Sequence, residues 1–178
     1  MSHPSFFFLA RLLLISVLSI ASLSVAAADL AGQYQRAKRL IGNGDLVTGM
    51  KLLREVAESG HAPGQAALGE ILDRAEEDKE AVTWYRKAAE QGNAAGQFGL
   101  GMAYAAGEGI AKDVKHAEEW VRKAAEQDYA NAVDVMVQAY KKGGLGLAPD
   151  PVQAEAWRQR GEKLKHGKSS EVEHAKKK

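Results

Sequence analysis

Ala81-Val82-Thr83-Trp84-Tyr85-Arg86-Lys87-Ala88-Ala89-Glu90-Gln91-Gly92 returns 36 residues later as Ala117-Glu118-Glu119-Trp120-Val121-Arg122-Lys123-Ala124-Ala125-Glu126-Gln127-Asp128. A degraded echo, Ala154-Glu155-Ala156-Trp157-Arg158-Gln159-Arg160-Gly161, places a third tryptophan 37 residues further on. A divergent copy precedes all three, Gly49-Met50-Lys51-Leu52-Leu53-Arg54-Glu55-Val56-Ala57-Glu58-Ser59-Gly60, with leucine at the tryptophan position. Self-similarity with a period of 20 to 50 residues marks stacked supersecondary units, each burying its apolar face only against its neighbours.

Each unit reads as two helices. In the clearest copy, Gln97, Leu100, Gly101 and Tyr104 recur at helical spacing over residues 94–106, and Ala117, Trp120, Val121 and Ala124 do so over 114–127. The two stripes are expected to face each other, with the tryptophans wedged between helices. Gly107-Glu108-Gly109-Ile110 is the turn between them, and Asp113 is placed to cap the second helix. The fourth unit repeats the device with Gly143-Gly144-Leu145-Gly146 and then Asp150-Pro151, an N-cap followed by proline at the first helical position. Unit two is four residues shorter here, running from Leu72 to Glu77. Gly69 and Gly101 fall mid-helix, where glycine costs about 1 kcal/mol against alanine, a cost that close helix approach offsets. The caps of the stack are expected at Tyr34 to Ile41 and beyond Leu164.

The residue inventory narrows the chemistry. The 178 residues include no cysteine, which excludes disulfides, thiolate nucleophiles and cysteine-ligated metals. Beyond residue 28 the only serines are Ser59, Ser169 and Ser170, too few hydroxyls for an obvious nucleophilic triad. His61, His116, His166 and His174 show no metal-binding spacing and read as surface residues. The acidic runs Glu76-Glu77-Asp78-Glu80 and Glu118-Glu119 lie at or inside helix starts, where negative charge suits the dipole, rather than in a calcium-type loop. The glycine turns lack the Gly-Lys-Ser/Thr ending of a phosphate loop. No metal or cofactor is therefore expected.

Phe6 to Ala10, Arg11, and the apolar run Leu12 to Val25 lead into Ala26-Ala27-Ala28-Asp29. A basic residue, an apolar stretch and small residues at the exit make a secretory signal over 1–28, cut after Ala28; an uncleaved anchor is the alternative. Its bacterial character implies the periplasm or the cell exterior. Residues 29–162 carry 17 basic and 21 acidic side chains, so the folded part lacks the basic excess of a nucleic-acid protein. The last sixteen residues carry six lysines against two glutamates. The stretch 165–178 reads as a Lys-rich, solvated tail whose contact with membrane surfaces is weak at most.

Leu100-Gly101, Tyr104, Gly107, Gly109, Asp113, Ala117, Trp120 and Lys123-Ala124-Ala125 together resemble the Sel-1-like repeat, a relative of the tetratricopeptide repeat. Leu68-Gly69, Ala81, Trp84-Tyr85, Lys87-Ala88-Ala89 and Gly92 carry half of the motif, and the first unit departs from it at Gly49 and Leu52. The resemblance covers about residues 29–164 and implies an all-α fold, a right-handed α-solenoid of about four helix-turn-helix repeats. It also implies a concave surface, lined by the first helices, that holds protein partners or peptides, as adaptors and regulators do. Cysteine-bridged relatives have no counterpart here, so helix packing alone must hold each pair.

If Leu100, Gly101 and Tyr104 face the second helix, Phe98, Met102 and Ala105 turn toward that concavity. The repeat offset adds Glu70 and Asp73 in unit two and Asp134, Gln138 and Lys141 in unit four. Phe98 beside Met102 is a candidate anchor for a partner side chain, or else packs on the next unit. The leading expectation is a non-enzymatic binding module for a protein or peptide of the bacterial envelope. A cell-wall enzyme using two carboxylates across one cleft, and a purely structural envelope spacer, are the alternatives. Oligomeric state and partner identity are open at this stage.

Overall fold

The computed structural model describes the backbone of residues 27–175 and side chains through His166. All but the last two residues of the expected leader lie outside that range, as do Lys176 to Lys178. The described residues form eight helices and no strand beyond an isolated bridge between Gly144 and Leu147. In chain order these are α1 over residues 27–42, α2 (Leu46–Glu58), α3 (Ala62–Arg74), α4 (Asp78–Glu90), α5 (Ala94–Ala106), α6 (Val114–Glu126), α7 (Ala130–Lys142) and α8 (Pro151–Ala175). They fall into two compact units, one ending at His61 and one beginning at Ala62. Within the second, α3/α4, α5/α6 and α7/α8 are hairpins packed in sequence, and α3 also lies directly against α5.

One hydrogen bond closes every hairpin, whatever its loop length. The N-cap amides of Asp45, Glu77, Asp113 and Asp150 donate to the carbonyls of Leu40, Leu72, Tyr104 and Tyr140, at 3.0, 2.9, 3.0 and 2.7 Å. Extra loop residues are therefore extruded beyond a fixed closure, at small entropic cost. Asp113 and Asp150 complete the caps as expected, their carboxylates accepting from Lys115 and His116 and from Val152 and Gln153. Gly107 adopts φ 86° and Gly109 φ 66°, and a Cβ on Gly109 would run into the Asp78 carbonyl, which ties this turn to the start of α4. The shorter second turn has no glycine, and Glu76 takes its left-handed position at φ 63°.

A second recurring turn links the hairpins. The amides of His61, Asn93 and Tyr129 donate to Val56, Ala88 and Ala124, each after a left-handed residue: Gly60, Gly92 and Asp128. Asp128 pays for its side chain at φ 62° by pairing with Arg160 of α8, which also donates to the Glu126 carbonyl at 2.7 Å.

Packing rests on small residues. Ala81, Ala88, Ala89, Ala117, Ala124 and Ala125 are buried along α4 and α6, so the facing helices approach closely. At Gly101 a Cβ would lie 2.8 Å from Val121 Cγ2, and at Gly96 it would clash with Ala88 of the preceding hairpin. The C-terminal core gathers Val121, Val133, Met136 and Trp157, with Leu164 at its edge, where the sequence reading ends the repeats; α8 continues as helix to Ala175. Trp84 and Trp157 are buried as expected, whereas Trp120 is half-buried. Each tryptophan carries a cation three residues on: Lys87 and Lys123 Nζ sit 4.1 Å from their ring centroids, and the Arg160 guanidinium 5.6 Å. This explains the basic residue in the repeated motif.

Gly96→Ala gains about 1 kcal/mol of helix propensity and meets overpacking of about 1–3 kcal/mol. A net loss of stability is expected in urea unfolding. Gly32→Ala in α1, with open space at its Cβ position, is expected to lose nothing.

Candidate functional site

Tyr85 anchors the most developed recess. Its ring, projecting from α4, lies between two glycines: a Cβ on Gly69 of α3 would be 2.7 Å from Tyr85 Cδ1, and one on Gly99 of α5 would be 2.5 Å from Cε1. The ring thus spaces the two first helices. Its hydroxyl donates to Asp73 Oδ2 at 3.3 Å, and burial, helped by the charges of Asp73 and Glu70, pushes the phenol well above its ordinary range.

Above the ring, α3, α5 and the start of α7 enclose a cavity of about 300 Å³. Phe98, Met102 and Tyr129 form its apolar part, and Glu70, Asp73, Arg74 and Glu108 its polar part. Phe98 meets Tyr129 at 5.4 Å between ring centroids and also packs against the C-terminal core, so it lines the cavity while packing on the next unit. Met102 is 38% exposed. Burial and the Glu70 charge raise the Tyr129 phenol as well. Arg74 forms an ion pair with Glu70 one turn earlier.

Four of the seven residues expected from sequence, Glu70, Asp73, Phe98 and Met102, therefore meet in one cavity. Asp134 and Gln138 line a different recess, on α7 and the Gly143-Gly144-Leu145 turn. Lys141 is exposed and Lys142 takes its place there, because one residue along a helix is a rotation of about 100°. The residues read from the repeat offset, Lys141 apart, thus line two recesses. Tyr85, Arg74, Glu108 and Tyr129 escaped the sequence reading. Tyr129 is an N-cap outside either helical stripe, and Glu108 sits in a loop with no partner in unit two.

Other polar groups are structural. Gln65 and Gln97, buried in α3 and α5, accept at 2.7 Å from Gln91 and Gln127 at the ends of α4 and α6. Glu118 lies a full turn inside α6, not at its start, and pairs with Arg122, which also donates to the Tyr140 hydroxyl at 2.8 Å. His116 stacks on Tyr104 and bonds Asp113, holding that carboxyl low, while half-buried His61 packs on Tyr34 with its imidazole pushed down by burial. Among the described residues no group of three or more histidines and carboxylates is set to hold a metal ion. No described helix is long and apolar enough to cross a membrane.

No curated protein matches the sequence significantly. The Sel1 repeat family model matches residues 62–93, 94–129 and 138–166, more than half of the chain. Among solved structures, a protective antigen of uropathogenic Escherichia coli displaying an SLR fold is 41% identical over 72% of this chain, with a TM-score of 0.65. A Sel1 repeat protein from Oxalobacter formigenes is 28% identical over 76%, with a TM-score of 0.69. This chain spans 29% and 58% of their respective lengths.

The Tyr85 account makes a pH prediction. Because the folded state raises this phenol, the stability tied to its neutral form is complete below the unfolded value of 10 and falls as pH rises beyond it. Tyr85→Phe is expected to flatten that alkaline limb in denaturant titrations at pH 9 to 11, while losing roughly 1 kcal/mol at neutral pH with the hydroxyl's hydrogen bond. The repeated helix hairpins, their motif and their structural likeness agree: the chain is an α-solenoid belonging to the Sel1 repeat family, whose members are generally protein-interaction adaptors.

Proposed function

We propose that this chain is an exported, non-enzymatic adaptor of the bacterial envelope, and that it holds a protein or peptide partner in the recess between α3 and α5. The observation that carries this reading is the recess itself. A half-buried aromatic, Phe98, and an exposed methionine, Met102, stand beside unfilled space and a rim of carboxylates. Apolar anchors ringed by polar groups are the usual anatomy of a surface that captures a partner side chain. Secretion is supported by the Phe6 to Ala28 pattern, and an envelope partner follows from secretion.

The cell-wall enzyme is the second reading, since Glu70, Asp73 and Glu108 do line one cleft. A general acid of that chemistry is a carboxyl kept protonated by burial. All three residues here are exposed, and Glu70 is taken up by Arg74, which favours binding over catalysis. The acidic balance of the folded part supports a partner other than nucleic acid.

The test is capture from a native envelope extract with mature protein as bait, followed by mass spectrometry. Wild type is expected to retain a selective partner that Phe98→Ala/Met102→Arg releases, with helicity unchanged by circular dichroism. The exported chain should begin at Asp29. Equal capture by both baits would contradict the recess assignment, and a retained leader would contradict secretion by cleavage.

A further inference from the structure

The chemistry of the recess specifies what kind of segment it takes. The cavity over Phe98 and Met102 is continuous with a second recess lined by Asp73, Arg74, Glu76, Asp78 and Glu108; the two share Asp73, Arg74 and Glu108. Together they present five carboxylates, from Glu70, Asp73, Glu76, Asp78 and Glu108, and a single guanidinium, that of Arg74. That guanidinium is committed to Glu70. Asp73 receives only the Tyr85 hydroxyl, and Glu76, Asp78 and Glu108 form no ion pair among the described residues.

The backbone maintains this arrangement. Glu76 is held at φ 63° by the short second turn, and Gly109 brings the Glu108 loop against the Asp78 carbonyl, so like charges from two hairpins are kept together. Uncompensated like charge clustered on one face raises the local concentration of opposite charge and steers its approach. The adjoining floor of Phe98, Met102 and Tyr129 demands an apolar side chain next to that charge.

We infer that the occupant is a cationic segment of a partner protein, in which lysine or arginine side chains face the Glu76, Asp78 and Glu108 carboxylates and a neighbouring apolar side chain enters the cavity over Phe98 and Met102. The inference rests on the recess being the binding surface. The charge of the recess selects a basic segment over an acidic one, and its apolar floor selects a segment with an anchor over a plain polylysine.

A randomised nonapeptide display library, panned on the full mature chain, tests this. Wild type is expected to enrich peptides with arginine or lysine flanking an apolar residue. Glu76→Gln/Glu108→Gln, two exposed positions away from the core, should weaken the enriched peptides about tenfold and reduce their salt dependence. Enriched peptides that are acidic or neutral, yet lost by Phe98→Ala/Met102→Arg, would overturn the charge assignment and leave the recess standing as a binding site. Peptides bound equally by both variants would overturn the recess itself. Self-association of the chain that Lys176→Gln/Lys177→Gln/Lys178→Gln abolishes would replace the foreign segment with the C-terminus of a second copy, and would overturn the inference in that way.

Discussion

The Tyr85 ring between Gly69 and Gly99 is the contact on which the surface of this molecule depends. It carries the side chain of a second helix into the layer of first helices, where it packs between Gly69 of α3 and Gly99 of α5. A methyl group at either glycine would close that gap or tilt the helices. The cavity above it, with Phe98, Met102 and Tyr129 on one side and carboxylates on the other, is lined in part by the ring. In the next hairpin the same position is Val121, against Gly101, and the packing there is tight core. Tyr85 gives way to Val121 and Gly99 to Val135, so the aromatic ring and its second glycine are both missing from the next hairpin.

Much of the fold was legible because the sequence states it more than once. The tryptophan ladder, the Gly69 and Gly101 contacts, and the caps at Asp113 and Asp150 each recur at a fixed offset, so that one copy vouches for another. Features present in a single copy were not legible. Gly99 belongs to α5 alone, Ala67 and Val135 holding the equivalent places in α3 and α7, and Glu76 replaces a glycine at a left-handed position that its residue type gives no reason to expect. The closing bond from the N-cap amide to the first helix is made by backbone in all four hairpins and leaves no side-chain signature at all.

The candidate site was half legible for the same reason. Offsetting by the repeat put Glu70, Asp73, Phe98 and Met102 on a common side, and the four line one cavity, since α3 and α5 keep the same spacing. From α7 onward the offset leads to a different recess, where Gln97 of the third repeat becomes Val133 and the fourth hairpin turns by way of three glycines and Leu145. Residues supplied by turns and caps, Glu108 and Tyr129, lay outside any helical stripe and needed coordinates. Function stands further from sequence again, because the family fixes a scaffold and the recess chemistry varies on it.

Amide hydrogen exchange on the full chain, alone and with its captured partner bound, is the most direct test of the claim that the α3/α5 recess is the working surface. Protection gained in α3 around Glu70 to Arg74, in α5 around Phe98 to Met102, and at the Glu108 turn is the predicted result. Protection confined to the second helices α4 and α6, with those segments unchanged, would contradict the account.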